Sequence, residues 1–142
     1  MLRIVVDTNL WIRALMGGEF SLPILIALRE DKFKVIISDD LLSELRDVAN
    51  RPRLRKHINP LDAAELLTLL SWRGESIALK TIPPKCRDPK DHPVLATAID
   101  GHADAIVSGD DDLRADESLR DAMANYGIQL WGVNSFLQAI KK

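Results

Sequence analysis

The chain has 142 residues, 46% of them hydrophobic and 28% charged, with a formal net charge of -2 at pH 7. That size and balance fit one globular domain over residues 1–142, able to bury roughly 70% of the surface its unfolded chain exposes, and they exclude a disordered or fibrous chain. The slight negative charge excludes nucleic-acid binding that relies on overall positive charge, and the single cysteine, Cys86, excludes an internal disulfide.

Residues 2–6 are apolar and β-branched apart from Arg3, the pattern of a central strand. Asp7-Thr8-Asn9 then offers cap residues for a helix built on Leu10, Trp11, Ala14 and Leu15, which Gly17-Gly18 stops. Ser21 is the expected N-cap of a second helix, with Pro23 in its first turn and Ile24, Leu25 and Leu28 as its apolar stripe. Phe33 to Ile37 reads as a strand. Asp39 to Asn50 reads as an amphipathic helix with Leu41, Leu42, Leu45, Val48 and Ala49 on one face and Glu44 at its border.

Arg51-Pro52 ends that helix, and Arg53, Arg55, Lys56 and His57 follow as a basic patch. Asn59-Pro60 opens a helix through Leu66, Leu67, Leu69 and Leu70 that Gly74 closes. Residues 77–82 are expected as an extended edge segment, and Pro83-Pro84 forces a loop. A helix from about Pro93 to Asp100 stops at Gly101, and Ala105 to Ser108 is a further strand. Asp116 to Asn125 reads as a short helix, Ile128 to Trp131 as a strand, and Asn134 to Lys141 as a closing helix capped by Asn134. Strands alternating with helices predict an α/β sandwich around a parallel sheet. No apolar run approaches the roughly 20 residues that span a bilayer, and no signal sequence is evident, so the expected location is cytoplasmic.

Acids recur where strands end and helices begin: Asp7 after the first strand, Glu44 on a helix, Asp91 before a helix, Asp110 and Asp112 after the strand at 105–108. Any one of them alone reads as a cap or turn residue. Together they read differently, because open α/β sheets keep their sites at the carboxyl ends of strands. Two carboxylates about 4 Å apart repel by roughly 4 kcal/mol at an effective dielectric of 20, so a cluster calls for something positive. Hard oxygen donors suit Mg²⁺ or Mn²⁺ rather than zinc. A cation so held activates water and neutralises phosphodiester charge. His57, His92 and His102 lack metal-ligand spacing, and Cys86 is expected as a small half-buried residue. Neither a phosphate-binding glycine loop nor a Gly-x-Ser-x-Gly elbow is present.

These residues resemble the PIN-domain family across nearly the whole chain. Val5-Val6-Asp7-Thr8-Asn9 is similar to its opening motif and Leu42-Ser43-Glu44-Leu45 to its helix motif. Asp91 through Ala98 is similar to its third motif, and Ser108-Gly109-Asp110-Asp111-Asp112-Leu113 to its fourth. Arg51-Pro52-Arg53-Leu54 and Cys86-Arg87-Asp88-Pro89 further resemble the prokaryotic, VapC-like branch described as toxin components of toxin-antitoxin pairs.

The resemblance implies a three-layer α/β/α sandwich and a Mg²⁺- or Mn²⁺-dependent endoribonuclease, the toxin of a type II pair. It implies Asp7, Glu44, Asp91 and Asp110 as metal-binding carboxylates and Asp112 as an outer or second-metal ligand. Asn9 and Ser108 match the polar positions beside the acids. Asp91 is preferred to Asp88, whose Asp88-Pro89 reads as the turn before the helix. His92-Pro93 departs from the residues relatives usually carry there.

Arg51, Arg53, Arg55 and Lys56 are open to two readings, an RNA-backbone contact or a solvated charged loop. Trp11 and Trp72 are expected in the core rather than stacked on bases. A homodimer and an antitoxin partner follow from the resemblance. The competing readings are a non-catalytic RNA- or protein-binding module and an aspartyl-phosphate phosphatase using Asp7, although Thr8-Asn9 lacks the Asp-x-Asp pattern of the latter.

Overall fold

The structure is a computed structural model describing residues 1–19, 21–83 and 91–141, with Asp112 described by its backbone alone. Cys86, Asp88 and the turn proposed at Asp88-Pro89 lie outside the described residues. Strands β1 (Arg3–Val6), β2 (Lys34–Ile37), β3 (Glu75–Ser76), β4 (Ala105–Val107) and β5 (Gln129–Trp131) form a parallel sheet in the order β3-β2-β1-β4-β5. The chain therefore winds outward from β1 in one direction, returns, and winds outward in the other. β1 and β4 flank the point where the order reverses, the crevice where open α/β sheets place ligands.

The described helices are α1 (Thr8–Leu15), α2 (Leu22–Arg29), α3 (Asp39–Ala49), α4 (Pro52–Arg55), α5 (Pro60–Arg73), α6 (His92–Asp100), α7 (Asp111–Ala115), α8 (Glu117–Ala124) and α9 (Val133–Ile140). Side chains alternate along each strand, so the sheet needs a core on both faces. On one face Ile4, Val6, Val35, Ile37 and Val107 pack with Leu10, Ile24, Leu28, Leu66, Leu70 and Phe136 of α1, α2, α5 and α9. On the other, Val5, Ile36 and Ile106 pack with Leu95 and Ala98 of α6 and with Leu119 and Met123 of α8. The result is the α/β sandwich around a parallel sheet that the alternating pattern predicts, in the three-layer α/β/α form. Burying each such Leu or Ile contributes about 1.5–3 kcal/mol.

Four expectations are corrected. Residues 77–82 are not the edge strand, which is the shorter β3 pairing with β2 at Ile36↔Glu75 and Ile37↔Ser76. The last ladder bond runs from the Ile77 amide to the Ile37 carbonyl at 2.8 Å, where β2 ends, and further on the amides of Lys80 and Thr81 donate to Asp100 Oδ2 at 2.7 and 3.1 Å. Trp72 is 70% exposed. With Leu66 and Leu70 facing the core at helical spacing, a residue two positions on points away, and the Trp72 ring lies 4.3 Å from the Arg73 guanidinium carbon.

Ser21 occupies the cap position of α2 without a side-chain cap bond, since the Ile24 amide donates to the Ser21 carbonyl. Asn134 is inside α9, which Gly132 precedes as the cap residue. Trp11, by contrast, is buried as expected. Asp111–Ala115 adds a short helix, and part of the basic patch lies on α4 rather than on a loop.

Candidate active site

Strand register brings the first acid to its partner. Val6 pairs with Val107, and the Asp7 amide donates to the Val107 carbonyl at 2.9 Å, so Asp7 and Ser108 leave the carboxyl edge of the sheet side by side. The Ser108 hydroxyl donates to Asp7 Oδ2 at 3.1 Å and accepts the Asp110 amide at 3.0 Å. A buried hydroxyl with one proton is thus committed to the carboxylate and oriented by the next acid's backbone. Asp7 also caps α1 by accepting the Asn9 amide at 3.4 Å, and Asp110 Oδ1 accepts the Leu113 amide at 3.3 Å, the equivalent role for α7.

Asp7 is 7% exposed. Burial pushes its carboxyl above the usual carboxylate range. The Asn9 amide and Ser108 hydroxyl pull it back, the Asp110 charge adds to the rise, and Arg13 opposes it.

A second polar chain positions the remaining acids. Thr97 Oγ1 donates to the Pro93 carbonyl at 2.6 Å, which spends its one proton, so Ser38 Oγ must donate across the 2.8 Å contact to Thr97. Ser38 Oγ also accepts the Leu41 amide at 3.3 Å as the N-cap of α3. This buried pair ties the start of α3 to the first turn of α6. Glu44 of α3 and Pro93 of α6 consequently line one cleft of about 510 Å³, with Asp40, Ser43, Asp47, Val48 and Arg51. Asp91 stands at the cap position of α6 and makes no side-chain cap bond.

The donors suit a hard divalent cation in kind: Asp7, Asp110 and the Ser108 hydroxyl at the β1–β4 edge all offer oxygen. The like-charge pressure of Asp110 on buried Asp7 is what such a cation would relieve. Among the described residues, however, no three His, Cys, Asp or Glu side chains converge as a ready ligand group. The fold pairs Asp7 with Asp110, and it sets Glu44 and the start of α6 on a common cleft.

Asn9 is exposed on α1. The basic run divides: Arg51 lines the Glu44 cleft, whereas Arg55 lines a separate groove with Arg46. Sequence reasoning passed over Ser38, Thr97 and Arg13. A Ser before a helix was the available signal for Ser38; Thr97 in an apolar helix and Arg13 four residues after Asn9 were quieter ones.

A family model described as PIN domain matches residues 3–112. No curated protein sequence matches the chain. Among solved structures, a chain of the VapBC2 complex from Rickettsia felis, crystallised bound to a DNA fragment from its promoter, is similar in fold. Its TM-score is 0.58 at 15% identity, covering 92% of this chain and 98% of that one. No helix among the described residues is long and apolar enough to cross a membrane.

Proposed function

Since the chain belongs to the PIN-domain family, we propose that it is a Mg²⁺- or Mn²⁺-dependent endoribonuclease, acting as one unit over residues 1–142 and serving as the toxin of a toxin-antitoxin pair. The observation that carries the reading is the buried Asp7 carboxylate, held by Ser108 beside Asp110 at the β1–β4 crevice. A carboxylate kept charged there costs stability, and a site that binds a cation and a phosphodiester gives that cost a use.

Asp7, Glu44, Asp91 and Asp110 are the proposed holders of the cation, with Asp112 an outer ligand. The cation, when bound, supplies Lewis acidity toward the phosphodiester and activates water. Ser108 and the Asn9 amide fix the orientation of the Asp7 carboxylate, one on Oδ2 and the other on Oδ1. The Ser38–Thr97 link holds α3 against α6, so the Glu44 cleft and the start of α6 that follows Asp91 stay in register. Arg51 on that wall meets the RNA backbone.

An antitoxin and a homodimer belong to the same reading. Its support is the complex nature of the VapBC2 neighbour and the exposed Leu22, Ile26, Leu61 and Trp72 on α2 and α5. The test is cleavage of a mixed single-stranded RNA pool with Mn²⁺, Mg²⁺ or EDTA, comparing wild type with Asp91→Asn. Cleavage that needs metal and disappears in the variant is expected. Absence of cutting together with absence of any Mn²⁺ effect on melting would transfer the reading to a binding module.

A further inference from the structure

Helix α1 buries Thr8, Leu10, Trp11, Ile12, Ala14 and Leu15 and exposes Asn9 and Arg13. Residues four apart share a helix face, so these two form one polar stripe rising from Asp7. Although Arg13 is exposed, its guanidinium turns back over the turn after β4. It lies on the backbone of Gly109, with Nη1 2.7 Å and Cζ 3.7 Å from the position a Cβ would take there. Gly109 stands between Ser108 and Asp110, so the guanidinium rests on the turn that carries both.

We propose that Arg13 binds the phosphodiester backbone of single-stranded RNA beside Asp7 and Asp110. The inference rests on the ribonuclease reading and adds the residue that seats the substrate at the β1–β4 crevice.

The chemistry demands such a group. Carboxylates repel a polyanion, so a phosphodiester seated beside them gains from a cationic side chain in addition to the metal they hold. A planar guanidinium offers paired donors to phosphate oxygens, which a carboxylate-rich edge cannot. Arg51 lines the Glu44 cleft, while Arg13 occupies the Gly109 shelf. A purely structural role as counter-ion to Asp7 fits less well: Arg13 is exposed, and it is the weakest of the influences acting on that carboxyl.

The experiment compares wild type with Arg13→Ala, Arg13→Lys and Gly109→Ala. The probe is a short single-stranded RNA blocked against cleavage by 2′-O-methyl groups, titrated by fluorescence anisotropy at several salt concentrations. Cleavage kinetics and the Mn²⁺-induced melting shift accompany it. Arg13→Ala should weaken binding about 10-fold and raise KM similarly, with kcat little changed, and should flatten the salt slope by about 0.7.

Arg13→Lys should recover part of the affinity. Gly109→Ala should weaken binding too, because its Cβ displaces the flexible end of Arg13 without removing the charge. The Mn²⁺ shift should stay the same in Arg13→Ala. If Arg13→Ala binds and cuts with wild-type KM, the role assigned to Arg13 is wrong and the nuclease reading stands. A change in the Mn²⁺ shift without a change in RNA affinity would make Arg13 a counter-ion to Asp7 and overturn the proposal. Wild type that neither binds nor cuts RNA overturns both readings together.

Discussion

Replacing Asp7 by Asn isolates one charge. Asn caps a helix as well as Asp does: its one carbonyl oxygen takes the Asn9 amide, and its Nδ2 donates to Ser108 Oγ once that hydroxyl turns away, so the packing around α1 is retained. What disappears is a buried carboxylate whose two hydrogen bonds, at 3.4 and 3.1 Å, do not offset its burial. Its loss should stabilise the metal-free protein at pH 7 by an amount on the order of 1 kcal/mol.

For 142 residues, about 2.1 cal/mol/K per residue gives an unfolding entropy near 300 cal/mol/K, so 1 kcal/mol is about 3 °C of melting temperature. Because the folded-state pKa of Asp7 is raised, its contribution is fully present below the ordinary value of 3.8 and lost as pH rises through the folded value. The advantage of Asp7→Asn should therefore vanish below about pH 4 and open above it.

Mn²⁺ at 100 times its dissociation constant stabilises by about 2.7 kcal/mol, roughly 9 °C, in wild type and far less in the variant. Calorimetry across pH 3–8, with and without Mn²⁺, reads all of this. If metal-free Asp7→Asn melts below wild type at pH 7, the carboxylate is a net stabiliser and the reasoning fails.

Other perturbations follow from the same contacts. Thr97→Val leaves the Ser38 proton without its acceptor and should cost about 1–3 kcal/mol in urea unfolding, with a fall in RNA cleavage as α3 and α6 lose their link. Gly101→Ala places a Cβ 2.4 Å from Ile36 Cγ2 and 2.8 Å from the Thr97 carbonyl, and should cost about 1–3 kcal/mol by the same measurement. The Lys80 amide, then the Thr81 hydroxyl, hold the Asp100 carboxyl below its usual range. Wild type should melt above Asp100→Asn at pH 7, and that gap should close as pH falls below about 4 and the carboxylate is protonated.

Much of the architecture is legible because apolar runs and cap residues act locally. Residues 3–6, 34–37, 105–107 and 129–131 are short apolar stretches bounded by polar or turn residues, and each became a strand at those positions. The placement of Asp7 and Asp110 needed only the rule that strand ends face a common edge in a parallel sheet. What escaped was decided at a distance. The two-residue length of β3 is set by where its neighbour β2 ends, at Ile37, and the path beyond it by Asp100 taking amides 19 and 20 positions away. The Ser38–Thr97 bond spans 59 residues, and the Gly109 shelf under Arg13 exists only once β1 and β4 are paired. The exposure of Trp72 was legible after all, since its angle from Leu70 on the helix follows from 3.6 residues per turn.

The two edges of the sheet treat their charges in opposite ways. At the amino edge Arg3 bonds Glu75 and the Gly101 carbonyl, its amide bonds Asp104 at 2.8 Å, and the Glu75 carboxyl is held below its usual range chiefly by Arg3. Those contacts pin the end of α6 and stabilise the fold with charges that are already satisfied. At the carboxyl edge the corresponding acid, Asp7, is driven the other way by burial. Because α6 is fixed at its Gly101 end, its start and Asp91 are delivered to the edge that carries Asp7. The charges that tie down the amino edge are thus distinct from the buried Asp7 carboxylate at the carboxyl edge. Arg3→Ala should therefore lower the melting temperature and leave the Mn²⁺ shift of the remaining folded protein intact, whereas a matching loss of both would show that the two edges are not independent.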